Sequence, residues 1–452
     1  MKTSTRHNAP LAVIGGGIAG LACAEYLSRC GRRVVLAEAG DRLCGQSSAS
    51  LHGWFHTGSL YAFLPEGKFT AYLLANLHLM LANYQGFPGL NIGRSPSGKL
   101  AVIDSAHGWF QRPIHYVVSR ASARDFRADP DDGWRKRIDK AVMRSLGWPV
   151  ALHGFRARQR ALAESIWQAG DTHKSAPAPE AFGFDSAHHL SYSSFDCTMS
   201  SVEIARDLLK SFVATEGTVL LQHRLLSVES RPEGPRLTFT NGHQIQCEAA
   251  VLAMGAGLKK LFPRAAMTTI ASPLLVAYPA VHALNFARIT PYVDQTVNHL
   301  RHEVEGTAYS LIGGGFASPV DDTARMDETA AALVGMAMKT FPQLREASLR
   351  SVHWGLKTEW GKRHGLRHYQ CVVERIAPKL YAALPGKFSL CFTLAEQVAR
   401  ALGVSDHPGR FPERGKPGDL GQYLSCTRHE AAVLDHLVSL QPVHSSNAGA
   451  AA

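Results

Sequence analysis

The chain has 452 residues, 45% of them hydrophobic, enough to bury a sizeable core spread over two associated domains. Its 48 Lys and Arg against 37 Asp and Glu give a net charge of +11, a balance suited to anionic substrates, membrane surfaces or nucleic acid. The eight cysteines are scattered without a Cys-x-x-Cys pair, so neither a zinc cage nor a disulfide framework is expected, and reduced thiols in a cytoplasmic setting are.

Residues 1–10 are polar and basic and run straight into an apolar strand, so no signal peptide is expected. The longest apolar stretch, 270–287, is broken by Pro273, Pro279 and His282 and reads as an extended strand rather than a membrane span.

Residues 11–14 read as a buried parallel strand entering the turn Gly15-Gly16-Gly17-Ile18-Ala19-Gly20, and 17–30 as a helix rich in small residues. A second strand, 33–37, ends at Glu38, about twenty residues past the glycines, which completes a dinucleotide-binding unit. Gly15 makes the tight turn, Gly17 lets backbone N–H groups reach a pyrophosphate, and Gly20 lets helix and strand approach. Glu38 would accept hydrogen bonds from ribose hydroxyls.

The next stretch, 39–61, is crowded with hydroxyls, glycines and histidines where a crossover needs only a few residues, and is read as lining a ligand. Its segment Gly45-Gln46-Ser47-Ser48, following a strand that ends in Glu38, resembles the FAD-dependent oxidoreductases of the D-amino-acid oxidase type. Within them, Trp54-Phe55-His56-Thr57-Gly58-Ser59-Leu60-Tyr61 is most similar to the 2-hydroxyglutarate and glycerol-3-phosphate dehydrogenases. The resemblance implies an α/β fold: a Rossmann-like FAD-binding domain with an inserted antiparallel-sheet (α+β) substrate domain. It also implies FAD contacts at Gly15, Gly17, Ile18, Ala19, Gly20, Glu38, Ala39, Arg42, Gln46, Ser47, Ser48, Leu225, Met254, Gly255, Gly386, Lys387 and Phe388.

Further along, 112–160 holds twelve Lys/Arg against five Asp/Glu among scattered tryptophans, either a phosphate-binding stretch or a solvated helical face with a packed stripe. Residues 202–215 read as an amphipathic helix, 236–247 as a hairpin around Asn241-Gly242, and 249–257 as a buried strand entering a glycine turn. Long extended runs and one helix, 323–340, follow over 272–359. The expected division is therefore FAD-binding 1–110, a helical basic insert 111–190, FAD-binding 191–271, substrate domain 272–380, a closing FAD-binding turn and helix 381–440, and a disordered tail 441–452.

For chemistry, a Gly-x-Ser-x-Gly elbow is absent and His364-x-x-x-His368 lacks the Glu of a zinc protease, so hydrolase and metal readings fall away. Without a Gly-Trp-x-Trp-x-Ile-Pro run, flavin monooxygenase or halogenase chemistry is disfavoured. His56 is the preferred base, the alternative being a histidine that merely holds its loop. His299 and Arg301 share one face of a strand and supply a second base and a cation if that face turns to the flavin; otherwise they are solvated. The expected reaction is oxidation of a CH–OH group in a small anionic hydroxy acid or polyol phosphate, gripped by Arg301, Lys357, Arg363 or Arg367. Amine or amino-acid oxidation is the alternative. Oxygen or another electron acceptor completes the cycle. Peripheral membrane contact is compatible with the positive charge, and no nucleic-acid partner is expected.

Overall fold

The computed structural model describes residues 9–63, 67–94, 100–102, 108–120, 138, 141–165, 176–263, 267–292, 295–361, 370–404, 407–412 and 420–440. The two short apolar runs of the N-terminal unit become the strands β1 (Leu11–Ile14) and β2 (Val34–Ala37), buried at every position. They lie side by side in a six-stranded sheet, flanked by Ala249–Leu252 and Leu380–Leu384 on one side and Thr218–Leu220 on the other, all parallel. Strand Val372–Ala377 closes one edge antiparallel. Buried on both faces, such strands need continuous apolar runs rather than alternation, which is what these segments carry.

Between β1 and β2 runs helix α1 (Ile18–Arg29), also buried throughout, against Ser201–Ala214 and Cys391–Ala401. Its two buried charges compensate one another: Glu25 and Arg29 pair, Ser211 donates to Glu25, and Arg29 donates to the carbonyls of Asn83 (2.9 Å) and Gly409 (2.6 Å).

A second, nine-stranded sheet stands against the first. Its long strands Met267–Tyr278 and Leu349–Trp360 pair antiparallel from Met267–Trp360 to Tyr278–Leu349, and Val297–Val304 pairs with Thr307–Gly314. Helix Thr323–Thr340 packs on this sheet, capped by Asp322, whose side chain accepts from the Arg325 amide. The mixed α/β architecture expected from the sequence is thus present. Of 111–190 the described residues hold the helix Trp148–Ser165 and, at the two edges of the segment, Phe110–Ser119 and His189–Met199, which are paired strands of the nine-stranded sheet. Pro113 hides the first from its pattern; the ladder accommodates it with register shifts on both sides. Among the described residues no helix is long and apolar enough to cross a membrane, and no group of acidic, His or Cys side chains could hold a metal ion.

Candidate active site

A cavity of about 820 Å³ opens where the carboxyl ends of four parallel strands face the nine-stranded sheet, the usual place for a ligand in an open α/β sheet. Gly15 turns out of β1 at φ +104°, and a Cβ there would stand 2.6 Å from the Ala253 carbonyl. The N-cap of α1 is Gly17, where a Cβ would meet nothing nearer than Ser48 Oγ at 3.4 Å, so its backbone is open to the cavity. The first turn of α1 has no acidic residue, and the Ile18 amide donates to Ser48 Oγ at 3.0 Å. A bare helix N-terminus beside a hydroxyl is a site for an anion such as a diphosphate.

At the far side of that turn the Glu38 carboxylate accepts from the amides of Gly16 (2.6 Å) and Gly40 (2.8 Å), which fix it against the cavity wall with lone pairs to spare for ribose hydroxyls. Ala39, Gln46, Ser47, Leu225, Met254 and Gly255 line the same wall, and Gly386, Lys387 and Phe388 the opposite end. There Ser389, also lining the cavity, carries a buried hydroxyl with no hydrogen-bond partner, an acceptor or donor in want of a ligand. Anion site, carboxylate, orphaned hydroxyl and volume together fit FAD. Two members of the expected set do other work. Gly20 packs: its Cβ would fall 1.8 Å from the Gly15 carbonyl, and it does not reach the cavity. Arg42 is exposed and lies off the cavity wall.

His56 lines the cavity and is stacked on Trp54 with ring centroids 4.9 Å apart. Behind it lies Asp196, completely enclosed. Its Oδ2 accepts from Trp54 Nε1 (2.9 Å), Tyr116 OH (2.7 Å) and His56 Nδ1 (3.3 Å), and its Oδ1 from the Thr57 amide and hydroxyl (both 2.8 Å). Burial pushes the Asp196 carboxyl up, but the hydrogen bonds it accepts from His56, Tyr116 and Thr57, with the positive charge His56 takes on when protonated, outweigh it and hold the pKa below the usual carboxylate value. An ionised carboxylate only accepts, so neutral His56 carries its proton on Nδ1 and leaves Nε2 as the acceptor. Burial, and then the nearby Lys387 charge, push His56 down to about 4 against the opposing pull of Asp196. Lys387 Nζ lies 4.8 Å from the Tyr61 ring centroid, and Lys357, also at the cavity, donates to Ser272 Oγ at 3.0 Å. Two ammonium groups thus stand at the wall around His56.

Of the two orientations open to His299 and Arg301, the strand Val297–Val304 does not turn their face to the cavity. Asn298 faces the cavity, so by the period of two the odd-numbered residues face away. His299 is buried with Nδ1 2.9 Å from the Leu284 carbonyl and Nε2 2.7 Å from Ser310 Oγ, and burial drives its pKa to about 3. Arg301 pairs with Glu303 at 2.6 Å on an outer groove. Neither is placed to act in the cavity, where the cations present are Lys357, one of the expected set, and Lys387. Arg363 and Arg367 lie outside the described residues. Sequence reasoning missed Asp196, Tyr116 and Ser389; the one signal was that Asp196 opens the segment leading into helix Ser201–Ala214.

Compared with the curated proteins, the sequence finds no significant match. Among solved structures it is similar to glycine oxidase from Geobacillus kaustophilus (TM-score 0.58, 16% identity, covering 93% of this chain and 99% of that one). It is also similar to L-alpha-glycerophosphate oxidase from Mycoplasma pneumoniae, solved with FAD bound (0.58, 14%, 90% and 99%), and to L-proline dehydrogenase from P. horikoshii (0.56, 12%, 89% and 95%). At these identities the likeness shows a shared fold. The family model for FAD dependent oxidoreductases (DAO) matches residues 10–384, and with the anion cradle, the pinned carboxylate and the cavity between the two sheets the conclusion follows: the chain belongs to this family and is an oxidoreductase whose cofactor is FAD.

Proposed function

We propose that the enzyme oxidises a small anionic substrate at a carbon bearing a hydroxyl group, as the resemblance of 54–61 to the 2-hydroxyglutarate and glycerol-3-phosphate dehydrogenases suggests. The observation that carries this reading is the Asp196–His56 pair on a cavity wall that also presents Lys357 and Lys387. Bound FAD supplies the two-electron acceptor that no side chain provides. Gly17, Ser48 and Glu38 would hold its diphosphate and ribose, and Ser389 with Gly386 its other end. The two lysines bind and orient the substrate anion. His56 accepts the hydroxyl proton at Nε2 as the C–H bond breaks, and Asp196 keeps that nitrogen available by holding the other proton at Nδ1. The resulting imidazolium is stabilised by the carboxylate behind it. The nine-stranded sheet, which carries Trp54, Asn298 and Lys357, forms the substrate side.

An anaerobic screen of hydroxy acids, polyol phosphates, amino acids and neutral amines, following loss of flavin absorbance near ~450 nm, tests the assignment. Bleaching by hydroxy acids or polyol phosphates alone is the expected result. Bleaching by amino acids or amines alone would move the reaction to CH–NH oxidation while leaving the cofactor assignment intact. Peroxide measured during aerobic turnover separates oxygen from other acceptors.

A further inference from the structure

Helix Trp148–Ser165 and the turns before it are apolar on two opposite faces. The inner face is fully used: Trp148, Phe155 and Leu162 are buried, Phe63 stacks on Trp148 and Phe155, and Trp148 Nε1 donates to the Ser119 carbonyl at 2.9 Å. Arg158 and Gln159 tie the same helix to the carbonyls of Ala62 (2.6 Å) and Ser59 (2.9 Å). The outer face presents Val142, Leu146 and Val150, exposed by 53%, 63% and 62%. Leu146 and Val150 each stand two positions from Trp148, which at about 100° per residue places them on the far side of the helix.

In a regular α-helix residues spaced by four drift around the axis. Here Met143–Gly147 forms a π-helical turn, whose wider winding offsets that drift and keeps Val142, Leu146 and Val150 nearer one line. Packing does not need this stripe, since the helix is seated by its inner face. Residues 141–165 hold four Arg against one Glu; Arg144 and Arg160 are exposed, as is Arg156, which also donates to Tyr192 OH at 2.9 Å.

An exposed aliphatic stripe within a strongly basic helix is the composition of a segment that lies in a bilayer interface. We infer that the outer face of the helical segment 141–165 docks the enzyme onto an anionic phospholipid surface, with Val142, Leu146 and Val150 entering the headgroup boundary and exposed Arg144 and Arg160 meeting lipid phosphates. A second copy of the chain on this face would bring two basic helices together, and a nucleic acid would leave the aliphatic side chains without a role. An anionic bilayer satisfies both features at once.

The test is flotation of the FAD-loaded enzyme with vesicles of phosphatidylglycerol and phosphatidylcholine in roughly equal parts, against phosphatidylcholine alone. The wild type is expected to float with the anionic vesicles, to float at least about tenfold less with the neutral ones, and to be released as salt rises. Leu146→Glu with Val150→Glu is expected to lower vesicle binding about tenfold or more while retaining the flavin spectrum and the melting temperature, because both positions are exposed. Arg144→Glu with Arg160→Glu should abolish the preference for anionic lipid. Equal binding to both vesicle types, binding that survives the glutamates, dimerisation that the glutamates reverse without any vesicle binding, or salt-sensitive RNA binding in place of lipid binding would each overturn the inference.

Discussion

Replacing Asp196 by Asn removes a charge and one lone-pair set while keeping shape. The Asn oxygen can still accept from the Thr57 amide and hydroxyl, both 2.8 Å away in the wild type. Its amide nitrogen then faces Trp54 Nε1, Tyr116 OH and His56 Nδ1, at 2.9, 2.7 and 3.3 Å from the original oxygen. The tyrosine hydroxyl can rotate to accept, but the indole N–H cannot, so one buried donor is orphaned at about 1–3 kcal/mol of stability. His56 would accept at Nδ1 and carry its proton on Nε2, the wrong tautomer for a base. The expected loss in the rate of flavin reduction is about 10²–10⁴-fold, the range for general-base catalysis, or roughly 2.7–5.4 kcal/mol of barrier. The assay is anaerobic stopped-flow at saturating substrate, with FAD content and melting temperature measured on the same preparation. A variant that binds FAD and is reduced within about threefold of the wild-type rate would refute the argument, since general-base loss is rarely so small.

Other outcomes follow from the same geometry. Gly17→Ala leaves the protein folded, because a Cβ there meets only Ser48 Oγ at 3.4 Å, but weakens FAD retention; Gly20→Ala, 1.8 Å from the Gly15 carbonyl, prevents folding, and melting curves with flavin absorbance separate the two. Glu38→Ala should lose FAD on gel filtration while keeping the far-UV spectrum of the wild type. Lys387→Met removes a cation that depresses His56, so the acid limb of kcat/KM moves up from about 4 and KM for an anionic substrate rises. His56 at about 4, and His299, His302 and His429 each at about 3, lie below the ~6.5 of an unfolded histidine. The unfolded chain therefore binds more protons below pH ~6.5, and stability present above that value is lost as the medium is acidified toward the folded values, by up to about 1.4 kcal/mol per pH unit for each histidine. Urea midpoints that stay level from neutral pH to about pH 5 would contradict this.

The nucleotide unit was legible because its constraints are local: an apolar run, glycines at fixed offsets and an acid at the end of the next strand all lie within residues 11–38. His56 was legible as a cavity residue from the crowding of its loop. Asp196 was not, since it is polar at a position where its strand is buried, and its five hydrogen bonds come from Trp54, His56, Thr57 and Tyr116, far away in the chain. The orientation of His299 and Arg301 depended on which face of one strand turns inward, a choice that alternation leaves two-fold until a neighbouring sheet decides it. Strand Phe110–Ser119 was obscured by Pro113, which interrupts the pattern that its burial otherwise produces.

The walls of the FAD cavity come from both ends of the sequence, residues near 15 and residues near 388. On the ribosome, β1, α1 and β2 emerge well before the strands that flank them, Thr218–Leu220 and Ala249–Leu252, and before Leu380–Leu384 and Cys391–Ala401, one of the two helices that cover α1, which come later still. The wholly buried surface of α1 must be shielded during that interval, a period in which a nascent chain is prone to aggregate. FAD capture is then a late event in biogenesis: nascent chains arrested before residue 380 should hold no flavin and should depend on chaperones, whereas chains that have cleared residue 401 should acquire both colour and protease resistance together.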